Sequence, residues 1–262
     1  MANDFEGKWA VVTGASAGIG AALARDLADR GAKLILTARR KERLEALAAE
    51  LSASGTEVRI VLADLAKPEG PKAVYDATVG AGLAVDILIN NAGLGQYGNF
   101  VSCDLDHELS QIRVNCEAVV HLSRLFLPPM VKRGRGWMLV VSSTASFQPV
   151  PFLSTYAATK AFDRFFSLGL AEELAPAGIR VTALCPGPTE SEFFDVAGAN
   201  TFRGKRDQSA EEVASRAIDA LATGKRTVIP YLGGKLSAMG VRFLPVRAIT
   251  YLVAKLARPK DA

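Results

Sequence analysis

Cysteine is scarce in this chain of 262 residues, and the three present, Cys103, Cys116 and Cys185, are odd in number, far apart and without C-x-x-C spacing. That argues against a disulfide framework or a thiolate zinc site and fits a reducing, cytoplasmic setting. Cys185 reads as a small buried residue, since nothing nearby would make it a nucleophile. Histidine is scarcer still: His107 and His121 lack the spacing of a ligand pair, and no metal site is expected. No uncharged apolar run reaches about 18 residues, and the opening M-A-N-D-F-E-G-K has no apolar signal region, so a soluble protein is expected. With 49% hydrophobic residues there is enough apolar surface for one large core, and a single domain over residues 1–262 is expected.

Charge of either sign is also close to balance. The net value is +4, yet residues 231–262 hold six Lys/Arg (Lys235, Arg242, Arg247, Lys255, Arg258, Lys260) against Asp261 alone, a net +5 that leaves the first 230 residues at −1. A nucleic-acid binder would show a basic face around a reading module; none is found, and no nucleic-acid partner is expected. The stretch after residue 230, basic and apolar and interrupted by Pro245, reads as a C-terminal extension. It fits closing a cleft, a dimer contact or peripheral contact with an anionic membrane, against the plainer role of a solvated helix packed on its own domain.

What the chain does have is a repeated alternation of short β-branched runs with longer amphipathic stretches, the pattern of βαβ units. Strands are predicted at 8–13, 33–38, 57–62, 86–90, 137–142, 180–185 and 227–230, and helices at about 18–30, 41–54, 69–81, 104–132, 154–176 and 210–223, with Asp104 and Ser209 as caps. Short apolar runs bounded by Gly, Asn and Pro suit strands buried on both faces. The expected fold is therefore α/β, a single Rossmann-type doubly wound parallel seven-stranded sheet with helices on both faces.

The first strand runs into T-G-A-S-A-G-I-G (13–20), where a helix begins. Gly14, Gly18 and Gly20, with Ser16 and Ile19 in the same turn, let the backbone approach a pyrophosphate and point helix-start N–H groups at it. The spacing is G-x-x-x-G-x-G rather than G-x-G-x-x-G, and an ordinary glycine-rich turn is the plainer reading. At the end of the second strand an NAD-binding fold commonly offers a carboxylate to the ribose 2′-hydroxyl, whereas this chain has Thr37-Ala38-Arg39-Arg40. A guanidinium suits a 2′-phosphate, so NADP(H) is expected as cofactor, through Arg39 in preference to Arg40, which also fits the solvated first turn of the next helix.

In S-T-Y-A-A-T-K-A-F-D (154–163) a phenol and an ammonium stand one helical turn apart among small residues, and the cation of Lys160 favours the phenolate of Tyr156. Tyr-x-x-x-Lys also occurs by chance as a surface pair. With T-G-A-S-A-G-I-G, then N-N-A-G (90–93), Asn115 and Ser143 preceding it in order, however, the chain resembles the short-chain dehydrogenase/reductase family from about residue 6 to 230. The resemblance implies that Tyr156 donates or accepts the proton, that Ser143 holds the substrate oxygen, that Lys160 lowers the phenol pKa and bonds the nicotinamide ribose, and that Asn115 anchors a water in a proton relay. Ser142 competes with Ser143, the spacing to Tyr156 favouring Ser143, and Asn115 also fits a residue that caps or bends its helix. The same resemblance implies Asp64 and Leu65 near the adenine, Asn90, Ala92 and Gly93 along the cofactor, and Pro186 and Gly187 beside the nicotinamide, with Ser191, or Thr189 as a near alternative, on the carboxamide.

The function so implied is an NADP(H)-dependent oxidoreductase that moves a hydride between the nicotinamide and a carbonyl or secondary alcohol, its small-molecule substrate a hydrophobic ketone, an aldehyde or a 3-oxoacyl thioester. An apolar pocket is expected from F-Q-P-V-P-F-L (147–153) and from Phe193 and Phe194 in a flap over 186–198, although core packing explains these aromatics equally well. The other class in play, a non-catalytic NADP(H)-binding regulatory or scaffold protein, would keep the cradle and usually lose a catalytic side chain; none is lost here. A homo-oligomer, dimer or tetramer, is expected. The 28 residues after Gly234 depart from the oxoacyl-carrier-protein reductases of the family that end soon after V-D-G-G, which lowers the expectation of their tetramer.

Overall fold

The computed structural model describes residues 4–199, 208–241 and 243–259. Apolar runs of five or six residues form β1 (Trp9–Thr13), β2 (Lys33–Ala38), β3 (Val58–Leu62), β4 (Val85–Asn90), β5 (Gly136–Val141) and β6 (Ile179–Leu184), and a two-residue β7 (Thr227–Val228) closes one edge. All pair in parallel in the order β3-β2-β1-β4-β5-β6-β7. The seven predicted strands are thus found, six of them to within one residue at each end. The seventh ends two residues early, short of Pro230, whose nitrogen has no hydrogen to give a ladder. Strand order reverses between β1 and β4, and the crevice outside their carboxyl ends is where a doubly wound sheet holds a ligand.

Period-two alternation divides the core. Leu34, Leu36, Ile87 and Ile89 face one side, where α1 (Gly18–Asp29), α2 (Lys41–Ala53) and α8 (Ala210–Ala222) cover them with Leu23, Leu27, Leu44, Val213 and Ile218. Ile35, Leu88 and Val140 face the other, under α5 (Ala118–Arg133) and α6 (Ser154–Leu174), with Leu122, Phe126 and Ala171, while Val74 of α3 (Gly70–Asp76) joins the same cluster. The remaining helices are α4 (Leu105–Ile112), α7 (Phe193–Val196), α9 (Leu232–Gly240) and α10 (Val246–Ala257). Both predicted caps act as such: Asp104 accepts from the His107 N–H and Ser209 from the Glu212 N–H.

One difference from expectation bears on the site. The helix predicted over 104–132 is α4 and α5 joined by a π-helical turn, Arg113–Glu117, and that wider turn carries Asn115 into the molecule, fully buried. The C-terminal extension folds back as α9 and α10. Ile249, Val253 and Ala257 form the inner stripe of α10; Val253 packs against the cluster of Val150, Leu153 and Ala157, and the Tyr97 hydroxyl donates to the Ala257 carbonyl at 2.7 Å. Of its basic residues, Arg242 and Lys260 lie outside the described residues. Among the described residues no helix is long and apolar enough to cross a membrane.

Candidate active site

Where β1 ends, the chain has to pass under β4 and start α1 within five residues, and two glycines make that passage. Gly14 is left-handed, φ +65°, and a Cβ there would stand 2.9 Å from Asn91 Nδ2 and Ala92 Cα; a Cβ on Gly20 would stand 2.3 Å from the Gly14 carbonyl oxygen. Asn91 locks the crossing by donating to the Thr13 carbonyl at 2.8 Å, while Thr13 Oγ1 accepts from the N–H of Asn91 and Ala92 at 2.9 and 3.0 Å. The start of α1 has Ala17 as its N-cap, no side-chain cap and no acid in its first turn. Its first N–H groups are left for an anion.

From this cradle one cleft of about 590 Å³ runs across the carboxyl ends of the strands. Along it lie Gly14, Ser16, Gly18, Ile19 and Gly20, with Ser191 against Gly18, then Arg39 and Arg40, Asp64 and Leu65, and Ala92 and Gly93, and around the Tyr156 phenol Ser143, Lys160, Pro186, Gly187 and Thr189. Asn90 departs from expectation. Its side chain is turned into the core, Nδ2 lying 3.4 Å from Ser123 Oγ, and Asn91 lines the cleft instead. Asn115 is buried beneath the lining. Its Oδ1 accepts from the Leu94 N–H at 2.8 Å, and its Nδ2 donates to the Leu94 carbonyl and to Thr159 Oγ1, each at 2.9 Å. These three bonds tie the loop after β4 to α6.

At the far end the two candidate serines separate. Ser142 Oγ is buried and donates to the Lys160 carbonyl at 2.7 Å, so its proton is committed. Ser143 Oγ accepts from the Ala145 N–H at 3.1 Å and is hydrogen-bonded to the Tyr156 phenol. Lys160 Nζ donates to the Val141 carbonyl at 2.7 Å and to Asp163 Oδ2 at 2.9 Å. Burial works against this ammonium, yet Asp163 and then Tyr156 outweigh it, and its pKa lies above the usual lysine value. Burial also pushes the Tyr156 phenol up, against the pull of Lys160 and Ser143, with Asp163 pushing it further in the same direction. The expected downward pull of Lys160 is present in sign but does not decide the sum. Burial raises the Cys116 thiol to about 12 and the Cys185 thiol to about 11, so both stay protonated at neutral pH.

Around this centre Phe193 packs on Tyr156, ring centroids 5.1 Å apart, and Val150, Leu153, Phe194, Val196, Tyr231 and Val253 complete the wall. Phe147 and Phe152 of the expected pocket segment do not line it; Phe147 stacks with the Arg164 guanidinium and Phe152 pairs with Tyr97. Glu192, in the flap, pairs with Arg40 at 2.8 Å and Arg43 at 2.5 Å, while Arg40 also donates to Ser16 Oγ. Asp163, Tyr231 and Val253 carried no motif signal, and only their place in the fold reveals them, whereas Asn91 stood unassigned inside N-N-A-G. Among the described residues no group of three His, Cys, Asp or Glu is placed to hold a metal ion.

Residues 8–201 match the short chain dehydrogenase family. The chain is a member of that family. It is 39% identical over 189 residues to the very-long-chain 3-oxoacyl-CoA reductase of Anas platyrhynchos, a match covering 69% of this chain and 59% of the relative, so it spans about three fifths of that relative's length. It is 37% identical over 227 residues to the hydroxysteroid dehydrogenase-like protein 1 of Gallus gallus, covering 84% and 67%. Among solved structures, the short-chain dehydrogenase from Sphingobium yanoikuyae in complex with NADPH superposes with a TM-score of 0.82 at 34% identity, over 97% of this chain and 98% of that one.

In this short-chain dehydrogenase the buried tie made by Asn115 generates a stability prediction. Asn115→Ala strands the Leu94 N–H and carbonyl and is expected to lower unfolding free energy by about 2 kcal/mol, read as a shifted midpoint in denaturant. A side chain that serves a water relay alone would leave that midpoint in place.

Proposed function

We propose that this short-chain dehydrogenase is an NADPH-dependent reductase of hydrophobic carbonyl compounds. The observation that carries the proposal is a single cleft that joins an anion cradle and a guanidinium at one end to a phenol, a hydroxyl and a buried ammonium at the other. The residues fit a dinucleotide with a 2′-phosphate. Glycine at 14 and 20 lets the turn pack on Asn91 where a Cβ would collide, the α1 N–H groups lack a side-chain cap, and Arg39 is exposed with no hydrogen bond or ion pair among the described residues, whereas Arg40 is held by Ser16 and Glu192. Arg39 is therefore the guanidinium available to the phosphate.

When bound, the nicotinamide supplies a hydride to the carbonyl carbon. The chain supplies the rest. Ser143 donates a hydrogen bond to the carbonyl oxygen as negative charge builds there, and Tyr156 transfers its proton to that oxygen, which leaves a phenolate facing the Lys160 ammonium and a secondary alcohol as product. Burial keeps the phenol protonated at neutral pH, the form a reductase needs at the start of its cycle. The wall of Val150, Leu153, Phe193, Phe194, Val196 and Val253 supports an apolar substrate. An oxoacyl chain and a steroid, the bodies named in the two relatives, are both large and apolar, and the 3-oxoacyl thioester is the class supported by the 39% identity.

Three free thiols support a reducing compartment. Leu105, Leu109 and Ile112 on and beside α4, and Phe162 and Phe165 on the adjoining α6, are exposed and support a homo-oligomer through that face. The extension supports a different contact. Leu232, Leu236 and Met239 of α9 and Leu252 and Leu256 of α10 are exposed, Leu256 to 80%, beside Lys235, Arg247, Lys255 and Arg258 and with no acid between residues 231 and 259. Apolar side chains flanked by cations alone match an anionic lipid surface.

NADPH oxidation followed by absorbance against oxoacyl thioesters, ring ketones and aldehydes tests the activity. Tyr156→Phe is expected to keep its circular dichroism and NADPH affinity while kcat falls at least about a hundredfold, ~2.7 kcal/mol of barrier; near-parental turnover removes Tyr156 from the chemistry. NADPH is expected to bind at least about tenfold tighter than NADH, ~1.4 kcal/mol, with the preference lost in Arg39→Asp. Equal cofactor affinities in the parent would contradict the 2′-phosphate assignment. Sedimentation with phosphatidylserine vesicles is expected at low salt, to weaken as salt rises, and to disappear in Leu252→Glu/Leu256→Glu with turnover of soluble substrates retained. Undiminished binding by that variant, or concentration-dependent dimerisation in place of vesicle binding, rules out the lipid contact.

A further inference from the structure

Lys160 belongs to a cleft, but the carboxylate that holds it does not. Asp163 lies one helical turn further along α6, outside the cleft lining, with its side chain 1% exposed against 5% for Lys160 and its Oδ2 2.9 Å from Lys160 Nζ. An ammonium has three N–H donors. One goes to the Val141 carbonyl and one to Asp163, and the third is left for the cleft, where Gly93 leaves room: a Cβ there would come within 3.4 Å of Nζ.

Such a carboxylate is expensive to bury, and Asp163 is not fully repaid. Among the described residues its Oδ1 is buried with no hydrogen-bond partner, and Lys160 alone compensates the carboxylate. Burial accordingly pushes its carboxyl above the ordinary carboxylate range, against the pull of Lys160. A residue kept for packing at that position would be apolar, as Val140 and Ala171 are in the cluster nearby. The titratable groups around it are few. Tyr156 and Lys160 face it from its own helix and Cys116 from the π-helical turn, while Cys185 at the end of β6 interacts with Lys160. Both thiols are protonated at neutral pH, and among the described residues Lys160 is the charge that acts on the Asp163 carboxyl.

We infer that Asp163 is a positioning residue for the reaction: its carboxylate fixes the Lys160 ammonium from the side away from the cleft and offsets part of the positive charge that the Tyr156 phenol would otherwise feel. The proton-transferring centre is then an array of phenol, ammonium and carboxylate rather than a pair. The inference rests on Tyr156 as the acid. Its consequence has a sign. With the Lys160 ammonium retained through Val141 and Tyr156, removing the carboxylate's charge favours phenolate, so the phenol loses its proton at lower pH and a reductase that needs the phenol loses activity at lower pH as well.

The test is the pH dependence of kcat for carbonyl reduction in Asp163→Asn, which keeps size and an acceptor oxygen for Lys160 but not the charge. The alkaline limb is expected to move down by about one pH unit, with NADPH affinity within about threefold of the parent, and Asp163→Glu is expected to return the limb toward its parental position. If the Asn variant does not fold, Asp163→Ser removes the same charge with less volume and is read in the same way. A limb that stays in place in a folded, charge-free variant overturns the inference, including where stability falls, since that is the mark of a merely structural residue. Tyr156→Phe is assayed alongside: if it retains turnover, the assignment of the acid has failed, whereas lost turnover there with an unmoved limb in Asp163→Asn refutes the role of Asp163 alone.

Discussion

Two buried hydrogen bonds running in opposite directions join the end of β5 to the middle of α6, and the rest of the centre depends on them. Lys160 Nζ donates to the Val141 carbonyl and Ser142 Oγ donates to the Lys160 carbonyl, each at 2.7 Å. The strand end carries Ser143 one residue beyond Ser142, and the helix carries Tyr156 one turn before Lys160, so this reciprocal stitch sets the separation of the two hydroxyls. A slip of the helix by one turn would break both bonds and take from the Val141 carbonyl and the Ser142 hydroxyl these buried partners, a penalty of about 2 kcal/mol or more. Asn115 extends the same stitching to a third element by holding both backbone groups of Leu94 and the hydroxyl of Thr159. The loop after β4, the end of β5 and α6 therefore move as one body.

The strands were legible because each is a short apolar run that the flanking Gly, Asn and Pro delimit, and parallel strands buried on both faces leave little else for such runs to be. The cleft was legible where chemistry demands a residue type at a fixed spacing: glycine at 14, 18 and 20, and Tyr-x-x-x-Lys at 156–160. What escaped is set by three-dimensional neighbours. The π-helical turn over 113–117 differs from an α-helix by one residue per turn, too little to disturb an amphipathic pattern, yet it turns Asn115 inward. Asn90 and Asn91 are indistinguishable in a string; the pleat sends the first into the core and leaves the second at the strand end beside Thr13. The role of the extension stayed open because α10 turns inward only Ile249, Val253 and Ala257, a stripe too narrow to dominate its composition.

The far end of the cleft is closed by parts that share no sheet position. Phe193 and Phe194 come from the flap after β6, and Val253 from α10, which Tyr97 pins through the Ala257 carbonyl. The flap is also anchored at the opposite end of the cleft, where Glu192 meets Arg40 and Arg43. Exposed ion pairs of this kind are worth little in stability, which suits a segment that has to part for a dinucleotide to enter. Glu192 keeps Arg40 occupied, while Arg39 has no ion pair among the described residues. One segment thus links the arginines at one end of the cleft to the apolar wall at the other.

Burial has opposite consequences for the two polar ends of this cleft. Near Arg39 the guanidinium stays in water, so the proposed contact with a phosphate needs no dehydration in advance. Near Tyr156 the wall of Phe193, Leu153 and Val150 excludes water and raises the phenol's pKa even though a cation stands beside it. A phenol on a surface next to the same lysine would be driven toward phenolate, a base suited to removing a proton from an alcohol. The low-dielectric wall biases the resting residue toward the acid form, and it also strengthens the hydrogen bond that Ser143 gives to a carbonyl oxygen as charge develops. The apolar lining that would select a hydrophobic substrate is therefore part of the acid–base chemistry as well. A polar side chain placed in that wall would change the preferred direction of proton transfer before it changed which molecule fits.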